Sequence, residues 1–349
     1  MPGNGFGEFD LIRRLERLTA APFASSRHIL LGIGDDAAVL KQTRGHLWLA
    51  TTDLLAEHIH FDLTYTSYDK LGYKAAAVNF SDIAAMGGMP RFILVAMALS
   101  RHQTPRDVEN LYRGIQSACQ DVGAIVVGGD TSASKKDLFL AVTVLGEAPS
   151  RNILRRSGAR PGDHVYVTGS LGDARAGLEI LREGPKRFDE GNRSAKGLSY
   201  LTRRHLSPHP RLKEAQCLAQ NRIASAAIDL SDGLAGDLRH ICEESGVGAL
   251  IDTRRIPISS ALARYAEQRR RHALEYALPG GEDYELLFTV PVSKVTRMEA
   301  LIRGQRVQAT NIGIITKANR LMAIDRDGVS RPLRVKSYEH RLYSPARLT

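Results

Sequence analysis

The chain has 349 residues, 43% of them hydrophobic, so it is long enough for a sizeable core, and its length favours two domains. Its net charge of +10 raises the question of a nucleic-acid partner, but no zinc-finger spacing or RNP aromatic pattern accompanies the arginine clusters, so a solvated basic surface is favoured. We expect a reduced, cytoplasmic protein with no membrane partner, because no secretory signal is visible, the longest apolar run is too short to span a bilayer, and the three cysteines form no CxxC pair.

The first 150 residues predict helices and strands in irregular order. Apolar residues at near-helical spacing predict an amphipathic helix over 8–20. Further helices are expected at 68–86 and 107–123. Strands are expected at 28–33, 37–40, 47–52, 92–99, 124–127 and 138–146. No helix is expected between the last two strands, which argues against a repeated strand–helix–strand unit.

A turn-rich stretch near residue 150 predicts a domain boundary, with domains at 1–150 and 151–349. The second part predicts strands at 163–168, 225–229, 247–252, 284–290, 311–316 and 321–324. Helices are expected from residue 173 and near 211–220, 233–245 and 259–271, and an exposed loop over 184–197. Because strands and helices do not alternate strictly, we expect an α+β (mixed α/β) fold with mixed sheets in two domains.

Aspartates stand at the ends of short apolar runs, next to glycine, serine or threonine. These residues are Asp35, Asp36, Asp53, Asp130, Asp229 and Asp232. If the runs are strands, the carboxylates converge on one rim, where they repel each other unless cations lie between them. Ligand sets made of oxygen alone point to Mg²⁺ rather than to zinc or copper, and Mg²⁺ in proteins commonly carries phosphates. The pattern therefore predicts phosphoryl chemistry.

Each of these acid turns, the turns that carry the aspartates, also has an ordinary structural explanation. Asp53 suits a cap or turn, residues 128–131 suit a tight turn, and Asp229 with Asp232 suits the start of a helix. All the acid turns together weaken these explanations. His58 and His60 alternate in a stretch that we expect to be extended, but a zinc site is disfavoured because no other histidine or cysteine lies nearby.

Familiar nucleotide-binding motifs do not fit. Residues 32–37 match GxGxxA and Asp53 follows at a suggestive distance, but two carboxylates would then face the pyrophosphate, and no room remains for a crossover helix. The chain has no GxxxxGK[ST] loop, protein-kinase HRD or DFG motif, GxSxG elbow or HExxH motif. If the protein handles ATP, it uses another scaffold.

Short segments in order over nearly the whole chain resemble the thiamine-monophosphate kinase family. That family belongs to a superfamily with aminoimidazole ribonucleotide synthetase, selenophosphate synthetase and a hydrogenase-maturation protein. The segments are GEFDLI (7–12), GIGDD (32–36), TTD (51–53), AVNFSD (77–82), AAMG (84–87), GGDT (128–131), RSGA (156–159), PGD (161–163), VTG (167–169), IDLSDGL (228–234) and GGEDYE (280–285). The last two segments and the amino-terminal GEF are closest to the kinase; Pro279 replaces a serine that is common in the family.

The resemblance implies an N-terminal domain of the aminoimidazole ribonucleotide synthetase type that pairs in a homodimer, and a C-terminal α/β domain that closes over nucleotide and substrate. It implies that several Mg²⁺ ions are held by Asp36, Thr51, Thr52, Asp53, Asp82, Asp130, Asp229 and Asp232. The implied ATP contacts are Gly129, Asp130, Arg156, Ser231 and, at the adenine end, Tyr112. The implied substrate contacts are His60, Glu282 and Tyr338, the last of which would stack on the thiamine rings.

The implied activity is the phosphorylation of thiamine monophosphate to thiamine diphosphate by direct in-line transfer of the ATP γ-phosphate. No catalytic acid or base is expected, because the acceptor phosphate is already largely ionised; the metal scaffold and Arg156 stabilise the transferred group. One alternative is another branch of the superfamily, although the cysteine typical of selenophosphate synthetase is missing from the amino-terminal segment. The other is a nucleic-acid-binding protein, which leaves the acid turns unexplained, so no nucleic-acid partner is expected.

Overall fold

The structure is a computed structural model that describes residues 29–31, 35–41, 45–184, 193–325 and 327–333. Its strands form two mixed sheets, one from each part of the chain. The helix expected over 8–20, the middle of the loop expected over 184–197, and Tyr338 lie outside the described residues. In the parts of the chain just given, no helix has both the length and the apolar character that crossing a membrane requires.

The first sheet contains six strands in the order β1-β2-β3-β6-β4-β5. They are β1 (Ile29–Leu31), β2 (Ala38–Lys41), β3 (His46–Ala56), β4 (Met89–Leu99), β5 (Ile125–Ala133) and β6 (Phe139–Pro149). β4 and β5 pair in parallel, and the other neighbouring strands pair antiparallel. Burial alternates strictly along β6, because successive side chains point to opposite faces and only one face packs on the core.

Two helices cover the inner face of this sheet, α1 (Tyr68–Ala85) and α2 (Pro105–Val122). They pack closely because glycines stand where they touch: a Cβ at Gly72 would lie 1.9 Å from the carbonyl oxygen of Leu111. α2 begins at a capping box, in which Thr104 and Asp107 each bond the other's backbone N–H. It ends at Gly123, whose φ of 75° is the left-handed conformation that glycine adopts without strain.

The second sheet contains seven strands in the order β13-β12-β9-β11-β7-β10-β8. They are β7 (His164–Thr168), β8 (Ala226–Asp229), β9 (Gly248–Asp252), β10 (Leu286–Val290), β11 (Ala309–Thr316), β12 (Leu321–Ile324) and β13 (Ser330–Pro332). The helices of this part are α3 (Asp173–Glu183), α4 (Arg193–Leu206), α5 (Leu212–Gln220), α6 (Leu234–Ser245), α7 (Ser260–Gln268), α8 (Leu274–Ala277) and α9 (Val295–Arg303). Only β12 and β9 pair in parallel in this sheet as described, so both sheets are mixed and the expected α+β class is confirmed.

Several sequence predictions are corrected by these elements. α4 begins inside the loop expected over 184–197, and α8 and α9 were not predicted. α4 is polar overall, but its Leu201 is fully buried in a small core cluster shared with α7. Tertiary packing therefore stabilises a helix that was not predicted from its polar composition. His58 and His60 lie in a turn after β3 rather than in an extended stretch, and His58 has a φ of 65°.

The expectation that the aspartates end their strands is wrong for two of them. Asp53 lies inside β3, paired with Val142, and Asp130 lies inside β5, paired with Ala96. The ladder is built from backbone groups, so it continues past the point where the side chains stop being apolar. By contrast, Asp229 is the last residue of β8, as expected.

The two parts of the chain meet where α1 packs against β8 and α5. Gln216 of α5 donates from Nε2 to the carbonyl oxygens of Gly87 and Gly88, at 2.8 and 2.9 Å. A buried cluster joins Ala84 and Ala85 at the end of α1 to Leu218 of α5. This contact brings the end of α1 close to the end of β8. The division at residue 150 stays a prediction; the first sheet ends at Pro149 and the second begins at His164.

Candidate active site

Three carboxylates from distant parts of the sequence meet at the contact between the two domains. Asp36 precedes β2, Asp82 lies near the end of α1, and Asp229 ends β8. One oxygen from each lies within 4.8 Å of an oxygen of the other two. We call Asp36, Asp82 and Asp229 the carboxylate cluster. It joins residues that the sequence analysis assigned to metal binding.

Neighbouring side chains orient the carboxylate cluster. Thr51 Oγ1 donates to Asp82 at 2.7 Å, and Ser81 Oγ donates to Asp229 at 2.7 Å.

The third member of the cluster is held by a cation. Arg156 donates from Nη2 to Asp36 Oδ1 at 2.8 Å, while Asp36 Oδ2 is buried and has no hydrogen-bond partner among the residues that the structure describes. Asp35 shapes the same turn, since its carboxylate accepts from the backbone N–H of Asp36 and of Arg156. A buried carboxylate oxygen without a partner is costly, so a cation is expected beside it.

The electrostatics of the cluster also favour a cation. Burial, and then the charge of Asp36, raises the pKa of Asp229 to about 8. Burial and the charges of the neighbouring aspartates raise the pKa of Asp82 well above its usual range. Burial raises the pKa of Asp53 to about 6. The candidate metal ligands are all oxygen atoms, and one of them has no hydrogen-bond partner in the part of the chain that the structure describes. The residues present therefore fit Mg²⁺, which would supply the missing positive charge.

Other predicted metal ligands lie in different surroundings. Asp53 is half-buried, and its charge acts on Asp82 and Asp229. Thr52 Oγ1 donates to the carbonyl oxygen of Val142 and accepts from Thr143 Oγ1, so its side chain lies on the sheet face opposite Thr51. Asp130 is exposed on the edge strand β5 and is not part of the carboxylate cluster. The ligand roles of Thr52 and Asp130 stay predictions.

A cavity of about 320 Å³ extends from the cluster between the domains. Residues 53, 60, 74 and 82 line it from the first domain, and residues 175, 182, 205, 231, 232 and 282 line it from the second. Helix α1 presents Lys74, Val78 and Asp82 to it at a spacing of four residues, so they share one helix face. Asp82 and Lys74 are therefore about 12 Å apart along the helix. The cavity therefore has a carboxylate end, at Asp82, and a basic end, at Lys74.

The predicted contacts for ATP and substrate divide between the cavity and other places. Ser231, His60 and Glu282 line the cavity, and so does Asp232, which was predicted as a metal ligand. The ring nitrogen Nδ1 of His60 accepts from the backbone N–H of Ala56 at 3.0 Å.

Two predicted ATP contacts are placed elsewhere. A Cβ on Gly129 would lie 1.9 Å from the carbonyl oxygen of Val95, so this glycine permits the close approach of β5 to β4. Tyr112 packs against the core of the first domain from α2 and is not among the described residues that line the cavity. Their roles as ATP contacts stay predictions.

Sequence reasoning missed several residues of this site. Asp237 in the first turn of α6 accepts from the backbone N–H groups of Asp232 and Gly233, and so holds the turn that carries Asp232. An acid in the first turn of a helix is a recognisable signal for this role. Lys74 had a signal too, because it is a charged residue on a helix whose other inward positions are small or apolar. His205 had none.

The GGEDYE segment reaches the cavity as a constrained loop. Glu282 and Tyr284 have left-handed φ values of 66° and 50°, which residues other than glycine rarely adopt. Asp283 accepts from the backbone N–H groups of Gly172 and Ala174. Glu285 is fully buried and accepts from Thr168 and from two arginines, Arg204 and Arg211. The acids on either side of Tyr284 therefore anchor the loop, and Glu282 is left facing the cavity.

Known proteins match both halves of the chain. Residues 34–148 match the family model described as AIR synthase related protein, N-terminal domain, and residues 160–326 match the corresponding C-terminal domain. Thiamine-monophosphate kinase of Escherichia coli (strain K12) is 38% identical over 335 residues, which are 96% of this chain and 98% of that protein. The enzyme of that name from Bacillus subtilis (strain 168) is 34% identical, over 95% of this chain and 99% of that protein.

Solved structures agree with these matches. A structure described as AaThiL complexed with AMPPCP and TMP superposes with a TM-score of 0.82 at 33% identity, over 97% of this chain and 99% of that one. Hydrogenase maturation protein HypE in complex with ATP superposes with a TM-score of 0.66 at 19% identity, and shares the fold. The matches confirm the resemblance and the expectation of a kinase. The chain belongs to the thiamine-monophosphate kinase family, within the AIR synthase related proteins.

Proposed function

We propose that the protein transfers the γ-phosphoryl group of ATP directly to the phosphate of thiamine monophosphate, giving ADP and thiamine diphosphate. Relatives named thiamine-monophosphate kinase match nearly the whole chain, and a relative solved with AMPPCP and TMP shares the fold over nearly its full length. The carboxylate cluster carries the proposal: Asp36 and Asp229 are buried and Asp82 is half-buried, and the described residues around them supply too little positive charge to balance the three carboxylates.

The obstacle to this reaction is charge. ATP and the acceptor phosphate are both anions, and their repulsion grows in a cavity shielded from water. Mg²⁺ bound by the carboxylate cluster would neutralise the phosphates during the transfer. Several ions are proposed, held by Asp36, Thr51, Thr52, Asp53, Asp82, Asp130, Asp229 and Asp232, as the family resemblance implies.

The chain's own residues then have two tasks, to orient the reactants and to supply fixed charge. The acceptor oxygen is ionised at neutral pH, so no residue has to remove a proton from it. Arg156 already lies beside Asp36, where its guanidinium adds a positive charge next to the cluster. Gly129, Asp130, Ser231 and Tyr112 remain proposed contacts of ATP, and His60, Glu282 and Tyr338 remain proposed contacts of thiamine monophosphate.

The test is a direct assay. The protein is incubated with Mg²⁺, ATP and thiamine monophosphate, and the products are separated. We expect one thiamine diphosphate for each ADP, and no ADP when thiamine monophosphate is omitted. ATP made chiral at its γ-phosphorus tests the in-line step, because a single displacement inverts the configuration. Retention of configuration would contradict direct transfer, and ADP release without thiamine diphosphate would contradict the acceptor.

We also propose that the protein is a homodimer joined through the outer face of the first sheet. Apolar side chains stand exposed there, among them Leu54, Ile125 and Val127, which are 56%, 61% and 54% exposed. No other described part of the chain covers this face, and an apolar patch on a sheet is a typical protein–protein contact. Sedimentation velocity tests the proposal: a single species with the mass of one chain at micromolar concentration would contradict it.

A further inference from the structure

A buried contact between the two domains forms the basic end of the cavity. Lys74 on α1 donates from Nζ to Glu282 Oε1 at 2.7 Å. His205 on α4 places Nδ1 at 3.0 Å from the other carboxylate oxygen of Glu282. One carboxylate from the second domain is thus bonded to a cation of the first domain, and an imidazole of its own domain lies close to its other oxygen.

Exposure separates the roles of these residues. The Glu282 side chain is 26% exposed where it lines the cavity, whereas those of Lys74 and His205 are 4% and 2% exposed. A ligand in the cavity therefore reaches Glu282 far more readily than the two basic groups behind it. Lys74 can affect a ligand mainly through the position and charge of Glu282.

The backbone of Glu282 makes this support necessary. Its left-handed φ of 66° is unfavourable for a residue with a side chain, so surrounding contacts have to hold it. Its backbone N–H donates to the carbonyl oxygen of Ser231 at 2.7 Å, which fixes the main chain. The bond from Lys74 fixes the end of the side chain, and it does so from the opposite domain.

We infer that Lys74 is a positioning residue for the acceptor. It holds the Glu282 carboxylate at the end of the cavity remote from the carboxylate cluster, where the organic part of thiamine monophosphate would lie when its phosphate faces Asp82. This inference rests on the proposed function. Loss of Lys74 should therefore weaken the binding of thiamine monophosphate and leave the handling of ATP almost unchanged.

The test compares Lys74→Met with Lys70→Met, a matched change one turn earlier on the same helix, where the lysine side chain is exposed and does not line the cavity. We expect Lys74→Met to raise KM for thiamine monophosphate about tenfold, the effect of losing a hydrogen bond between charged groups. KM for ATP should stay within about twofold of the wild type. Lys74→Arg keeps the charge and should restore part of the loss, whereas Lys70→Met should match the wild type in every constant.

A double-mutant cycle shows whether Lys74 acts through Glu282. If it does, Lys74→Met combined with Glu282→Gln should have the same KM for thiamine monophosphate as Glu282→Gln alone. This comparison can still be made if Lys74→Met alone fails to fold. In the double variant both charged groups of the pair are removed, so neither is left buried without its partner.

Three results would overturn the inference. The first is that Lys74→Met has the same KM for thiamine monophosphate as Lys70→Met. The second is that Lys74→Met raises KM for ATP as much as KM for thiamine monophosphate. The third is that the double variant shows the sum of the effects of Lys74→Met and Glu282→Gln on KM for thiamine monophosphate. Each of these, seen with an active wild type, leaves the proposed function standing. A wild-type enzyme that makes no thiamine diphosphate would overturn the proposed function and this inference together.

Discussion

The carboxylates at the two ends of the cavity lie in opposite electrostatic surroundings. In the carboxylate cluster three aspartates face each other and Arg156 reaches one of them, and within the described part of the chain one oxygen of Asp36 has no hydrogen-bond partner. At the basic end a single carboxylate, Glu282, lies between Lys74 and His205. At the first end the described carboxylates outnumber the arginine that reaches them, which is why a bound cation is proposed there. The second end is already neutralised and is built to hold a side chain in place.

The pKa values follow the same division. Burial and neighbouring anions raise the pKa of Asp229 to about 8. Burial would also raise the pKa of Glu282, but Lys74 and His205 together outweigh it and lower that pKa below its usual range. The comparison shows that burial alone does not set the charge of a carboxylate; the groups that face it decide.

The largest expected effect comes from breaking the carboxylate cluster. Asp82→Asn should lower kcat about a thousandfold, because the remaining oxygens no longer hold a cation against the transferred group. Without Mg²⁺ the variant should melt above the wild type, since the substitution removes a carboxyl group whose raised pKa destabilises the folded state at neutral pH, and added Mg²⁺ should stabilise the variant less.

Asp121→Asn is the control for this change, because Asp121 accepts from Tyr73 outside the cavity. Turnover and thermal unfolding, each with and without Mg²⁺, measure the effect. Turnover of Asp82→Asn equal to that of the control would remove Asp82 from the proposed metal scaffold.

The second prediction uses pH to separate the ends. Asp229, with a folded pKa of about 8, and Asp35, with one of about 7, bind protons in the folded state that the unfolded state has already released above its ordinary pKa of 3.8. Stability should therefore fall as pH rises through these folded values, and then level off. Glu282 contributes no change there, because its folded pKa is lowered and its stabilisation is lost only in acid.

Thermal unfolding of the metal-free protein measures this trend. Between about pH 6.5 and about pH 8.5 we expect the melting temperature to fall by about 5 °C. Asp229→Asn, which keeps an oxygen to accept from Ser81, should flatten the decline, and saturating Mg²⁺ should do the same. A metal-free wild type whose stability rises over this range would refute the account of the cluster.

The smallest expected effect distinguishes two neighbouring threonines. Thr51 donates to Asp82, whereas the Thr52 hydroxyl bonds within the opposite face of the sheet. Thr51→Val should lower kcat about tenfold through loss of one hydrogen bond to a charged group, and Thr52→Val should change it much less. Steady-state kinetics of both variants decide the matter. An equal loss in Thr52→Val would support its hydroxyl as a metal ligand and count against the position seen here.

Much of the fold and part of the site were predictable from local sequence. The helix of α1 follows from apolar spacing and ends near the two glycines that the sequence shows, and the acids of the cluster were recognised as a group. Helices α4 and α9 were not predicted although both are amphipathic, because both segments are polar overall and the glycine-containing stretch at the start of α4 was interpreted as a loop. The shared site of Lys74 and His205 was not predicted, because the two residues lie 131 positions apart in the sequence and are linked through Glu282.

The sequence by itself determined the chemistry of this protein. Carboxylates beside small residues, and the absence of a P-loop, point to oxygen ligands and phosphates, since side-chain composition fixes what can be bound. Only the tertiary structure decided which carboxylates meet. Ser81 contacts Asp229 across 148 residues because α1 packs against β8, and Thr51 rather than Thr52 faces Asp82 because strand side chains alternate. Such pairings depend on the packing of whole elements, which local sequence does not specify.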